Sequence, residues 1–206
     1  MAAGNGVAAS AEALAGPALV EALRGGGYTI YFRHAATDWR NHDRVAKAGD
    51  WISCDPNRMR QLSDEGRETA RRIGQAFRAL AIPVGRVLSS EYCRAVETAR
   101  LMGLGEVETT RDIMNMRAAE LVGGREAVIR RAQDVFSRTP PPGTNVVIVG
   151  HGNLMRAATQ AYAAEGGSGI YAAMPGSDPG FQLIARLSPD DWMNLAAEAS
   201  PGGGGP

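Results

Sequence analysis

The sequence predicts an α/β chain, a three-layer sandwich whose central sheet is mostly parallel. Three observations predict it. Strand-like and helix-like segments alternate along most of the chain. "NVVIV" (145–149) is an unbroken apolar run, the pattern of a strand buried on both faces. "LSDEGRETARRIGQAFRAL" sets Ala70, Ile73, Phe77 and Leu80 at helical spacing, so one apolar stripe faces a core.

The elements follow in order. Pro17 to Arg24 reads as a short helix stopped by "GGG". Tyr28 to Phe32 is a strand of β-favouring residues. A long polar stretch over residues 40–61 has no period, and loops of that length in a compact domain serve function or move. Ser63 caps the next helix, with Asp64 and Glu65 in its first turn. "RVLSS" is a short strand, and Ser90 is expected to cap the helix "EYCRAVETARLM". "EVETT" is another short strand. "GREAVIRRAQDVFSR" is an amphipathic helix that ends before three prolines. After "NVVIV" and Gly150, a helix runs from Asn153 through about Tyr162. "FQLIARL" closes the sheet, and Ser188 caps a last helix.

The 206 residues suffice for one domain, placed at residues 17–199 between flexible ends at 1–16 and 200–206. Hydrophobic content of 44% and charged content of 21% are those of an ordinary globular chain. A formal net charge of zero argues against nucleic-acid binding. Lys47 is the only lysine, and arginine's planar fork suits oxyanions. No apolar run is long enough to span a membrane. "MAAGNGVAASAEALAG" has neither a basic nor an apolar signal region, so a cytoplasmic setting is expected, with a processed exported form left open. In that setting Cys54 and Cys93 are expected to be free thiols, with a pairing between them left open by their spacing. Neither cysteine belongs to a metal-binding pattern, and no metal or cofactor is expected.

Ligand sites in parallel sheets form beyond the carboxyl ends of the strands. Three strands here end in chemistry. The first delivers Arg33 and His34, the second leads to Arg94, and the third delivers His151 within "GHGN". Any one of these alone reads as an ordinary structural residue. Together, two guanidiniums and two imidazoles form an electropositive pocket for a phosphoryl group, aided by helix N-termini at Ser90 and Gly152. A neutral imidazole there can attack phosphorus. The third histidine, His42, is expected to be exposed in the long loop.

These blocks resemble the histidine phosphatase superfamily, which includes cofactor-dependent phosphoglycerate mutase. The resemblance runs from about Tyr28 to Ala158 and rests on "FRHAATD", "QLSDEGRETARRIGQAF", "SSEYCRAVETA" and "VIVGHGNLMRA", in the family's order. Ala35 stands where the family often has glycine. The resemblance implies a phosphoglycerate mutase-like fold. It makes His34 the nucleophile, Arg33 and Arg94 phosphate ligands, and His151 the second histidine. It also implies that Thr37 donates to phosphate. For the general acid it points to Asp112, with Glu120 the competitor and Asp38 a third candidate.

The function so implied is hydrolysis of a phosphomonoester through phosphohistidine, without a metal. Phosphoglycerate mutase-type transfer and non-catalytic phospho-ligand binding are the alternatives. A small phosphorylated substrate is expected, a phosphoprotein is left open, and neither nucleic acid nor membrane is an expected partner. Substrate choice is assigned to residues 40–61, to 111–124 and to "AAMPGSDPG". Of Arg58, Arg60, Arg111, Arg117 and Arg125, most are expected to be solvated surface.

Overall fold

The computed structural model describes residues 14–199. The elements are α1 (Gly16–Gly25), β1 (Tyr28–Arg33), α2 (Asp64–Ala79), β2 (Val84–Ser90), α3 (Cys93–Met102), β3 (Val107–Thr110), α4 (Arg125–Phe136), β4 (Asn145–Gly150), α5 (Gly152–Thr159), β5 (Ser168–Ala173), β6 (Phe181–Leu187) and α6 (Pro189–Ala199). They build one six-stranded sheet in the order β3-β2-β4-β1-β5-β6. The first four strands pair in parallel, and β5 and β6 add an antiparallel edge.

Period-two alternation in β1 divides the core between the two faces of the sheet. Phe32 points to one face, where it meets Phe77 of α2 and Trp192 of α6. Tyr31 points to the other, against Phe136 of α4, whose ring also contacts Tyr171 and Phe181. Helix α2 packs on α3 and α6, and α4 packs on α5, which gives the three layers. Among the described residues no helix is long and apolar enough to cross a membrane.

Several sequence expectations change at this level. Strand β5 was not foreseen. Its run "SGIYAA" is short and mixed, and its place comes from antiparallel pairing with β1. Helix α5 stops at Thr159, where Gln160 takes a positive φ of 59°, and does not reach Tyr162. Ser90 does not cap α3, whose N-terminal flank is Tyr92 without a side-chain cap. The expectation for the chain ends falls largely on residues 1–13 and 200–206, outside the described residues. Leu14, however, packs against the core, and Gly16 opens α1.

Candidate active site

The parallel pairing of β1 with β4 sets the site. Arg33 lies opposite Gly150, so the next residues, His34 and His151, leave the sheet side by side. Their rings meet edge to face with centroids 5.5 Å apart. The backbone of His151 is clamped by Tyr31, whose hydroxyl accepts from His151 N–H at 2.7 Å and donates to His151 C=O at 3.0 Å. That clamp explains Gly150, where any Cβ would overlap the Tyr31 hydroxyl.

The turn after His34 is held just as closely. Ala35 N–H donates to Thr98 Oγ1 at 3.2 Å, and Thr98 Oγ1 donates to the Arg94 carbonyl at 2.7 Å. Ser63 N–H donates to the Ala36 carbonyl at 3.0 Å. The adjacent glycine, Gly66, allows α2 to approach, since a Cβ there would overlap Ala36 O. One ring nitrogen of His34, Nδ1, lies 2.9 Å from the Ala35 carbonyl. A carbonyl only accepts, so Nδ1 carries the proton and Nε2 keeps its lone pair. His151 Nε2 lies 2.9 Å from Ser90 Oγ, while its Nδ1 has no partner although buried. Both imidazoles are held neutral. Burial pushes each proton affinity well below the usual histidine range, and the nearby Arg94 guanidinium adds to it.

Arg94 is 1% exposed and pairs with the carboxylate of Asp43 through two bonds, of 2.9 and 3.0 Å. Asp43, 9% exposed, belongs to the long loop and was not singled out in the sequence. It also accepts from Arg60 N–H at 3.1 Å. The loop is tied to four consecutive residues, two in the β2–α3 turn and two opening α3. Glu91 accepts from Trp51 Nε1 at 2.8 Å, Tyr92 stacks on the buried Trp51 ring, Cys93 bonds Cys54, and Arg94 holds Asp43. The free-thiol expectation is therefore corrected. The loop folds back on the first turn of α3 and brings the two Cα atoms to 5.4 Å, although 39 residues separate them in sequence. Spacing alone could not reveal that fold-back. Reduction, or Cys93→Ser, is expected to lower stability by about 2–4 kcal/mol, because a long loop regains its freedom in the unfolded chain. A thermal melt with and without reductant checks this, the midpoint falling by roughly 10 °C.

Arg33 donates to the Tyr162 hydroxyl and the Ala163 carbonyl and pairs with Glu165 at 3.3 Å. Its side chain underlies Gly152, where a Cβ would sit 2.9 Å from Arg33 Cδ. Thr37 does not face the pocket as expected. Its hydroxyl donates to Glu165 Oε1 at 2.9 Å, and its N–H lies 3.4 Å from Oε2. Glu165, also unforeseen, therefore ties together the two ends of the nucleophile segment.

These parts enclose an open pocket of about 270 Å³, lined by His34, His151, Gly152, Arg33, Asp43 and Arg60, with Arg117 and Arg156 at its edge. A larger depression of about 860 Å³ borders the disulfide but contains no histidine, so chemistry rather than volume identifies the site. The structure does not bring the acid candidates named from the sequence to this pocket. The Asp112 carboxylate faces Arg131 at 3.5 Å, because its turn points toward α4. Glu120 is exposed at the end of a 3-10 segment. Asp38 folds onto the Arg40 guanidinium, which holds its carboxyl down at about 2. His42 is exposed. Among the arginines, Arg58 pairs with Asp50 and Arg111 with Glu91, whereas Arg60 and Arg117 reach the pocket. Residues 174–180 connect β5 to β6. Because β5 runs antiparallel to β1, they lie at the far end of the sheet.

The family model described as histidine phosphatase superfamily (branch 1) matches residues 30–139, just over half of the chain. Among solved structures, the protein histidine phosphatase SixA complexed with tungstate is similar at 15% identity and a TM-score of 0.53, covering 80% of this chain and 98% of that one. An open reading frame product of Mycobacterium tuberculosis is similar at 20% identity and 0.54, covering 79% and 98%. A phosphoserine phosphatase mutant from Entamoeba histolytica is similar at 12% and 0.52, covering 80% and 98%. A search of curated protein sequences finds no match. At these identities the structures speak for the phosphoglycerate mutase-like fold, and the family model speaks for descent: the chain belongs to the histidine phosphatase superfamily, branch 1.

Proposed function

We propose that the protein is a phosphomonoesterase working through a phosphohistidine on His34. One observation carries the reading. His34 is neutral and oriented, with Nδ1–H spent on the Ala35 carbonyl, and its free Nε2 belongs to an arginine-lined pocket. The substrate phosphoryl group docks on Arg33 and Arg94, its oxygens also meeting the N-terminal N–H groups of α5. Nε2 attacks phosphorus in line as the bond to the leaving oxygen breaks. The positive charge that develops on the ring is shared through Nδ1–H with the Ala35 carbonyl. His151, beside the nucleophile, presents its unpartnered ring nitrogen to the transferring group.

Asp43 supplies the proton for the leaving oxygen. It is the one carboxylate among the described residues that lines the pocket. Phosphate arriving on Arg94 takes the guanidinium from Asp43, and the proton that Asp43 then carries comes from the monoanionic form of the ester. Once ionised again, Asp43 takes a proton from water as the water oxygen attacks phosphorus, and the P–Nε2 bond breaks with its electron pair returning to the His34 ring, which is neutral again. The Cys54–Cys93 bond suits work in an oxidising compartment, outside the reducing cytosol.

The test is a rapid acid-free quench of the protein with a phosphate-labelled ester. The expected result is one labile phosphoryl group, mapped to His34 by mass spectrometry and lost in acid. Hydrolysis without any label on His34 would sink the mechanism. Tight phosphate binding with neither label nor hydrolysis would point to a binding domain. Isomerisation of a phosphoglycerate without net phosphate release would point to a mutase.

A further inference from the structure

The pocket holds more positive charge than one phosphoryl group needs. Arg33 and Arg94 already have internal carboxylates, Glu165 and Asp43, which they exchange for substrate oxygens. Beside Arg33, and beside Asp43 on Arg94, the pocket is lined by three more arginines, Arg60, Arg117 and Arg156. Arg60 is only 9% exposed, and its Nε is buried with no hydrogen-bond partner. Leaving such a donor unpaired is costly unless a ligand meets it. Its guanidinium lies 3.8 Å over the ring of Trp39, a residue 58% exposed at the pocket edge. Arg117 and Arg156 are exposed, and neither side chain has an ion-pair partner among the described residues. They come from different elements, a 3-10 segment and α5, and Arg156 follows Gly152 by one helical turn. Burial, and then the nearby Arg94 and Arg117, ease proton loss from Arg60, and the carboxylates of Asp43 and Glu165 offset this only in part.

We infer that Arg60, Arg117 and Arg156 form a second anion subsite, so that the substrate is a small phosphomonoester carrying a further phosphate or carboxylate. This rests on the phosphatase reading above. The volume of about 270 Å³ admits a small molecule. An aryl phosphate with no second anionic group would leave the three guanidiniums without a ligand anion, whereas a second phosphate neutralises them through charge-assisted bonds.

The full chain is assayed with fructose 6-phosphate and fructose 1,6-bisphosphate, and the dissociation constants of both are measured by titration calorimetry. The bisphosphate is expected to be preferred about tenfold or more, since a hydrogen bond to a charged group is worth that much. The preference is expected to shrink as salt rises. In the double variant Arg117→Gln/Arg156→Gln, two surface changes that keep the core intact, the ratio between the esters falls toward one. Equal values in the native protein, or a preference that survives the double variant, overturn the subsite. If neither ester releases phosphate, the phosphatase reading fails and the dissociation constants still decide. A bisphosphate preference abolished by the double variant upholds the subsite. Equal constants, or no binding of either ester, overturn it.

Discussion

His34→Ala is expected to lose phosphate release by roughly 10⁵-fold or more, as removal of a nucleophile does when the rest of the site has no substitute. Binding should survive. Arg33, Arg94 and the α5 N-terminus remain, so phosphate or tungstate should still raise the melting temperature. The deleted ring is buried, and its loss leaves the Ala35 carbonyl without a donor. His34→Asn, which can restore that bond, therefore controls for folding, checked by circular dichroism. The pH profile of the native protein adds an independent check. Burial, and then Arg94, hold the proton affinity of His34 below the ordinary value of 6.5. The acid limb of kcat/KM is accordingly expected below pH 6.5. The same displacement has a sign in stability. The unfolded chain binds protons at 6.5 while the folded one does not, so stability is full above 6.5 and declines as pH falls below it. Retention of turnover in His34→Ala, or an acid limb well above 6.5, would remove His34 from the mechanism.

How much of this was legible in the chain depends on what kind of contact makes each part. The strands "YTIYF" and "NVVIV" and the helix of Ala70, Ile73 and Phe77 declare themselves through period and burial, which are local properties. His34 and His151 each directly follow a strand, so strand ends and ligand sites coincide in sequence. His34 and His151 lie where that argument puts them because Arg33 pairs with Gly150. Thr98 and Gly66 sit inside motifs read correctly as blocks, yet their tasks, holding Ala35 and admitting Ala36, are contacts across tens of residues.

Much of what was not legible involves the loop at residues 40–61 or the turn it meets; β5 and Glu165 lie elsewhere and owe their places to partners distant in sequence. Asp43 is one acid in an aperiodic polar run, and nothing in the run marks it. Its partner is Arg94, 51 residues away. Cys54 and Cys93 suffered the same blindness. Compartment argued for free thiols, while geometry brings them together. Glu91, Tyr92, Cys93 and Arg94 form one anchor strip, each residue gripping the loop by a different chemistry. Ser90, taken as a helix cap by its place before "EYCR", instead turns to His151 because β2 ends beside β4. A helix-start signal and an active-site hydroxyl look identical in sequence, and only the neighbouring strand distinguishes them.

Asp43→Asn separates an acid from a mere holder of Arg94. If Asp43 protonates the leaving oxygen and then activates water, both chemical steps suffer, and kcat for an alkyl phosphate falls by about 10²–10⁴-fold. A nitrophenyl ester needs no proton on its leaving oxygen. It should therefore give a rapid burst of nitrophenolate followed by slow steady turnover, as phosphohistidine accumulates without its general base. The substitution also strips Arg94, 1% exposed, of the only carboxylate paired with it among the described residues. A buried guanidinium without a counter-charge costs about 3–5 kcal/mol. Phosphate then binds a cation already free, so it should bind more tightly and stabilise the variant more than the native protein. A role confined to orienting Arg94 predicts the opposite pattern, with weaker phosphate binding, equal losses on both esters and no burst. Asp112→Asn is the decisive comparison. Its carboxylate faces Arg131 rather than the pocket, and the burst should be absent. A burst in Asp112→Asn, with none in Asp43→Asn, would return the acid to the segment after β3.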